Sequence, residues 1–137
     1  MPLKYRLLVS MSAFVLVLTI NAKAQGTTVC SNATLRGGYG LHATGTVNGV
    51  GDFAAVGRFV FDGNGHLTAN LFVRVNGNNV TPPELTGTYS VSPDCIVTDT
   101  WGGSIHVSVI VDQGKGYFIL NNTEGEGDTI SGEGRRQ

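Results

Sequence analysis

Charge is scarce in this sequence, and what there is does not cluster. Asp, Glu, Lys and Arg make up 14% of the 137 residues, and the only adjacent basic pair beyond the first residues is Arg135 and Arg136 at the very end. Three of the nine cationic residues, Lys4, Arg6 and Lys23, fall in the leader described below, while all ten acidic residues lie beyond it. The remainder is therefore acidic by about four charges, with no electrostatic footprint for nucleic acid and no polybasic membrane patch. Cysteine is equally sparse. Cys30 and Cys95 are the only two, 65 residues apart, which excludes a CxxC redox motif and a thiolate zinc cluster. His42, His66 and His106 show no metal-ligand spacing among themselves. No glycine-rich phosphate loop and no Ser or Cys nucleophile with a nearby base is present, so no cofactor is expected.

Long apolar runs are missing except at the start. Residues 7–20 form an apolar stretch of about 14 residues behind Lys4 and Arg6, within the range of a signal h-region and short of the ~20 residues of a membrane helix. Ala22, Lys23 and Ala24 then place small residues at −3 and −1. The expectation is a signal peptide over residues 1–24, cleavage after Ala24, and one exported domain over residues 25–137 with no membrane span. The destination is the periplasm or the extracellular space. In an oxidising compartment the lone pair Cys30 and Cys95 reads as a disulfide.

Helical periodicity is absent from residues 25–137. Gly, Asn, Thr and Val dominate, and apolar residues recur with period two, as in strands with one buried face. Odd positions carry the apolar side chains: Tyr39, Leu41 and Ala43; Phe53, Ala55, Phe59 and Phe61; Leu67, Ala69, Leu71 and Val73; Leu85, Tyr89 and Val91; then Ile105, Val107, Val109 and Val111. Even positions carry His42, Arg58, Asn70, Arg74, His106 and Ser108. A three-residue loop of Gly63, Asn64 and Gly65 pairs Phe61 with Leu67 and Phe59 with Ala69. A tight turn at Gly102 and Gly103 pairs Thr100 with Ile105, Asp99 with His106 and Thr98 with Val107. Further breaks fall at residues 76–79, at Pro82 and Pro83, at Pro93 and at residues 113–116, and Tyr117 to Leu120 are apolar on both faces. The sum is an all-β chain of about eight antiparallel strands, either an up-and-down barrel or a two-sheet sandwich. The barrel is favoured because closure removes sheet edges and because Gly37, Gly38, Gly40, Gly132 and Gly134 would let the first and last strands meet.

The segments CSNATLRGGYG (residues 30–40), GRFVFDGNG (57–65), GTYSV (87–91), Asp94 with Cys95, and the ending SGEGRRQ (131–137) together resemble small secreted bacterial proteins of the allene-oxide-cyclase-like, or calycin-like, β-barrel group. The resemblance spans nearly all of residues 25–137. It implies a barrel, and it carries no catalytic residue onto this chain.

Several residues invite a functional reading. Asp99 opposite His106 could shuttle a proton, though by the odd–even pattern the pair is expected on the outer, solvated face. Asp62, Asn64 and Gly65 imitate the start of a calcium loop but also explain themselves as a hairpin. Glu124, Glu126 and Asp128 alternate with glycines in what reads as a solvated acidic loop, and no metal site is expected. Trp101 is either an exposed platform or packing over a barrel end. With no ionisable group expected inside, the interior polar atoms would be those of Tyr39, Tyr89, Thr98 and Thr100, and with Phe59 and Phe61 these residues would line any ligand site. The leading expectation is non-enzymatic binding of a small apolar ligand or a partner. A cofactor-free cyclase or isomerase, by fold analogy, and a self-assembling envelope protein are the alternatives.

Overall fold

Strands with one apolar face and short turns must satisfy their backbone groups sideways, and here they do so in a ring. The computed structural model describes residues 28–137. The strands are β1 (Arg36–Val47), β2 (Gly51–Asp62), β3 (His66–Val75), β4 (Asn78–Val80), β5 (Leu85–Val91), β6 (Ile96–Trp101), β7 (Ser104–Val111), β8 (Gly116–Asn121) and β9 (Thr129–Arg136). All pairings are antiparallel, each ring strand bonds the next, and β9 returns to β1. The result is a closed eight-strand up-and-down barrel, not a sandwich. β4 stands outside the ring on the far end of β3; it falls within an Asn-rich stretch that reads as a break. The expected leader and its expected cleavage after Ala24 lie outside the described residues.

Both hairpin registers read from the sequence are present. Phe61 pairs with Leu67 and Phe59 with Ala69. Asp62 Oδ1 accepts the N–H of Asn64 (2.7 Å) and of His66 (3.0 Å), which holds its carboxyl below the usual range, and Gly65 supplies the positive φ of 111°. At the second hairpin Thr100 pairs with Ile105, Asp99 with His106 and Thr98 with Val107.

The face of that second hairpin is the reverse of the sequence expectation. β6 is aligned on β5 so that Val97 lies beside Val91, Asp99 beside Tyr89 and Trp101 beside Gly87. Tyr89 points inward, so its cross-strand neighbour Asp99 does too. Val97, Asp99 and Trp101 thus face the interior, while Thr98 and Thr100 are exposed on the outside. On β7 the inward residues are His106, Ser108 and Ile110; Ile105 and Val109 are exposed. On β8 Tyr117 and Ile119 go in, and Phe118 and Leu120 go out. The seam glycines behave as expected: Gly132 lies opposite Ala43, and Gly134 opposite Leu41.

One end of the barrel is plugged. A short 3-10 turn, Asn32–Thr34, crosses it, and Leu35 is buried beneath. Tyr89 donates its hydroxyl to the carbonyls of Asn32 (3.0 Å) and Leu35 (2.9 Å), and Asn32 Oδ1 accepts the N–H of Val91. The Cys30–Cys95 disulfide, with its Cα atoms 5.0 Å apart, ties this plug to the turn before β6. Tyr39 donates to the Gly114 carbonyl (2.6 Å) and accepts from the Arg136 guanidinium (2.9 Å). Tyr39, Phe61, Tyr89 and Tyr117 pack edge-on or tilted, with ring centroids 5.1–5.7 Å apart, and fill this half.

Candidate functional site

Among the described residues nothing plugs the opposite end. Moving along β1 from the sealed end, the inward residues shrink from Tyr39 to Leu41 to Ala43; on β2 they pass from Phe61 and Phe59 to Ala55. Ala43 and Ala55 are cross-strand partners. Two methyl groups therefore stand where the other half has rings, and a cavity of about 310 Å³ remains. Its walls are apolar, formed by residues such as Leu41, Ala43, Phe53, Ala55 and Leu71; its rim carries Asn121, Asp128 and Ser131; Trp101 and His106 complete its lining. The volume is at the lower end of the ~300–1,000 Å³ typical of ligand pockets.

His106 belongs to a buried polar group that the sequence pattern placed in water. His106 is 6% exposed and Asp99 4%. Nδ1 of His106 lies 3.3 Å from Asp99 Oδ1, close enough to pair but out of line for a hydrogen bond. The imidazole lies flat on the Trp101 indole, with centroids 4.0 Å apart and planes within 6°. Trp101 in turn meets Phe59 edge-on at 5.1 Å. Among the described residues five buried polar side-chain atoms lack a hydrogen-bond partner, and all five sit on β6, β7 and β8: Asp99 Oδ1, Trp101 Nε1, His106 Nδ1, Ser108 Oγ and Tyr117 OH. Burial pushes the Tyr117 phenol well up, and the nearby Asp99 charge adds to the effect.

The chemistry open to this group is that of a proton acceptor facing a carboxylate. Ser108 lies two residues from His106 on the same inward face, but its hydroxyl makes no hydrogen bond to the imidazole and is sealed from the cavity. The three side chains therefore form no nucleophile relay of the Ser-His-Asp type.

Comparison with protein-family models, curated proteins and solved structures returns no match. The geometry alone thus carries the functional argument.

None of the six residues expected to line a ligand site does so. Tyr39, Phe59, Phe61 and Tyr89 are interior but fill the sealed half, where the two tyrosine hydroxyls are taken up by backbone carbonyls. Thr98 and Thr100 point outward. The expectation that no ionisable group faces inward fails at Asp99 and His106. Trp101 packs inward rather than forming an exposed platform. Asp62 and Asn64 serve the hairpin. In the acidic loop the Glu126 carboxylate accepts from Ser104 Oγ and Asn121 Nδ2 (both 3.3 Å), and Asp128 accepts the N–H of Asn48 (2.8 Å), so these two side chains fasten the loop to the rim. Among the described residues no three His, Cys, Asp or Glu side chains come together as a metal site. The signal that could have exposed the Asp99–His106 pair was present: Asp99 shares its strand face with Val97 and Trp101, and a lone tryptophan is costly to leave in water.

A second hollow, about 410 Å³, lies outside the barrel between β2, β3 and β4, against Val56, Phe72 and Val80. It contains none of the sealed, unpartnered polar atoms.

Proposed function

We propose that the domain is an exported small-molecule carrier that takes an apolar ligand into the open end of its barrel. The observation that carries this reading is the cavity itself: apolar walls, small residues at Ala43 and Ala55 that keep it open, and one buried polar side chain, His106, in the lining next to the lone tryptophan. Export is supported by the leader sequence and by the disulfide; among the described residues no helix is long and apolar enough to cross a membrane. Kinship with the allene-oxide-cyclase-like group is part of the proposal, supported by the closed barrel and the cysteine pair.

Trp101 is the only tryptophan in the chain and lines the cavity. Titration with N-phenyl-1-naphthylamine, a neutral apolar fluorophore, is expected to quench Trp101 by energy transfer in a saturable, one-to-one manner. Ala55→Phe, which fills the cavity, is expected to weaken binding about tenfold or more, the worth of losing most of the probe's buried area. Probe binding that never saturates, or that Ala55→Phe leaves untouched, refutes the reading.

The Asp99–His106 pair favours a second reading, proton transfer on a bound carbonyl compound, as in a cofactor-free isomerase. His106 would take a proton from the carbon beside the carbonyl, the electron pair would pass into the carbonyl as an enolate, and a proton would return to carbon. Exchange of deuterium from solvent into a small apolar ketone, followed by NMR and lost in His106→Phe, would support it. No exchange above the uncatalysed rate leaves binding alone.

A further inference from the structure

We propose that His106 Nε2 is a hydrogen-bond acceptor in the cavity lining, and that the ligand class is a small neutral molecule with an apolar body and one hydroxyl, a phenol or a compact alcohol. This rests on the carrier reading above and names what that carrier selects.

Asp99 sets the tautomer of His106. Its carboxylate oxygen lies 3.3 Å from Nδ1, out of line for a hydrogen bond but close enough for the negative charge to favour an imidazole proton on that atom. The proton of a neutral imidazole therefore belongs on Nδ1, and Nε2 keeps its lone pair. Nδ1 is sealed, whereas Nε2 is not among the sealed atoms, and His106 lines the cavity. The Trp101 indole lies parallel against the ring at 4.0 Å and holds it in this plane. Nε2 thus forms an acceptor on the one buried polar side chain of the lining, and a site of this kind demands a donor from its ligand.

Charge narrows the class further. An anionic ligand would enter between Asp99 behind the imidazole and Asp128 at the rim. A cation would lose its hydration against apolar walls with only Asp128 at the rim to offset the loss, and one oxygen of that carboxylate already accepts from the Asn48 amide; Asp99 lies behind His106 and does not line the cavity. A neutral hydroxyl fits both constraints. The cavity volume of about 310 Å³ accommodates a single substituted ring.

A matched pair of probes tests this. p-Cresol and p-xylene have nearly the same shape and differ by a hydroxyl in place of a methyl. A purely apolar cavity prefers p-xylene, because the buried hydroxyl of p-cresol would lose its water without compensation. With the Nε2 acceptor in place, p-cresol should bind the wild-type protein at least as tightly as p-xylene, measured by calorimetry and Trp101 fluorescence. His106→Phe should reverse the order by about tenfold, the worth of one hydrogen bond set against an unmet donor. If that variant does not fold, the ¹⁵N resonance of His106 Nε2 in the wild type serves instead: it should move on adding p-cresol and stay on adding p-xylene. Asp99 is a positioning residue in this scheme, and Asp99→Leu should diminish the Nε2 shift by releasing the tautomer. A wild-type preference for p-xylene, with no Nε2 shift on p-cresol, overturns the acceptor role while leaving an apolar carrier intact. Failure of both probes to bind overturns the carrier reading and this inference with it.

Discussion

Tyr117 shows what a single side chain contributes when it is buried for its ring and not for its hydroxyl. The ring packs against Tyr39 and Phe61, yet the phenol oxygen is sealed without a partner. An unmet buried hydroxyl costs ~1–3 kcal/mol. Tyr117→Phe should therefore be neutral or stabilising by about 1 kcal/mol at pH 7. The pH dependence has a definite sign. Because burial raises the folded-state value above the ordinary value of about 10, the neutral phenol is favoured by folding; that contribution is complete below pH ~10 and is lost as pH rises further. Urea midpoints measured at pH 7 and pH 11 should fall more for the wild type than for Tyr117→Phe. Equal falls would show that the phenol is not sealed.

At the scale of elements, the barrel depends on how closely β1 and β9 approach. A methyl group at Gly132 would overlap the His42 carbonyl oxygen across the seam, whereas one at Gly40 would meet only the end of the Gln137 side chain at 3.5 Å. Gly132→Ala should destabilise by ~1–3 kcal/mol as overpacking does, and Gly40→Ala by less than about 0.5 kcal/mol as an ordinary surface change. Chemical denaturation of the two variants checks the difference. The elements also show how far the sequence could be read. Turn chemistry at Gly65 and at Gly102 and Gly103 determined both hairpin registers, because short loops leave few pairings. It did not determine which face of β6 and β7 turned inward. Aliphatic residues alone favour the odd face of β7, with Ile105, Val107, Val109 and Val111. The β5–β6 alignment, which places Asp99 beside Tyr89, and the packing of Trp101 on Phe59 choose the other. A register fixed by one turn carries no facing information until the neighbouring strand supplies it. The buried polar pair of the candidate site was missed for that reason: Asp99 and His106 were paired correctly and placed on the wrong side of the sheet.

For the whole molecule, the fold is asymmetric from end to end. A plug tied by Cys30–Cys95 closes the aromatic half, and the half with Ala43 and Ala55 stays open. The disulfide joins residues 65 apart and should stabilise by ~4 kcal/mol through the unfolded chain. Replacing both cysteines by alanine should lower the urea midpoint accordingly while leaving apolar-probe affinity within about threefold, since neither cysteine lines the cavity. A large loss of affinity would instead couple the plug to the open end. The outer surface pays for the inward turn of His106 and Ser108 with exposed Ile105, Val109, Phe118 and Leu120 on β7 and β8.

β6 and β7 turn Asp99 and His106 into the barrel, and the chemistry of the cavity follows from that. Proton–proton NOE spectra of the ligand-free protein test this most directly. Cross-peaks are expected from the His106 ring to the Trp101 indole and from that indole to the Phe59 ring, with the Thr98 and Thr100 methyls seeing only outward neighbours. Cross-peaks from either threonine methyl to Phe59 or Phe61, with none between His106 and Trp101, would contradict it.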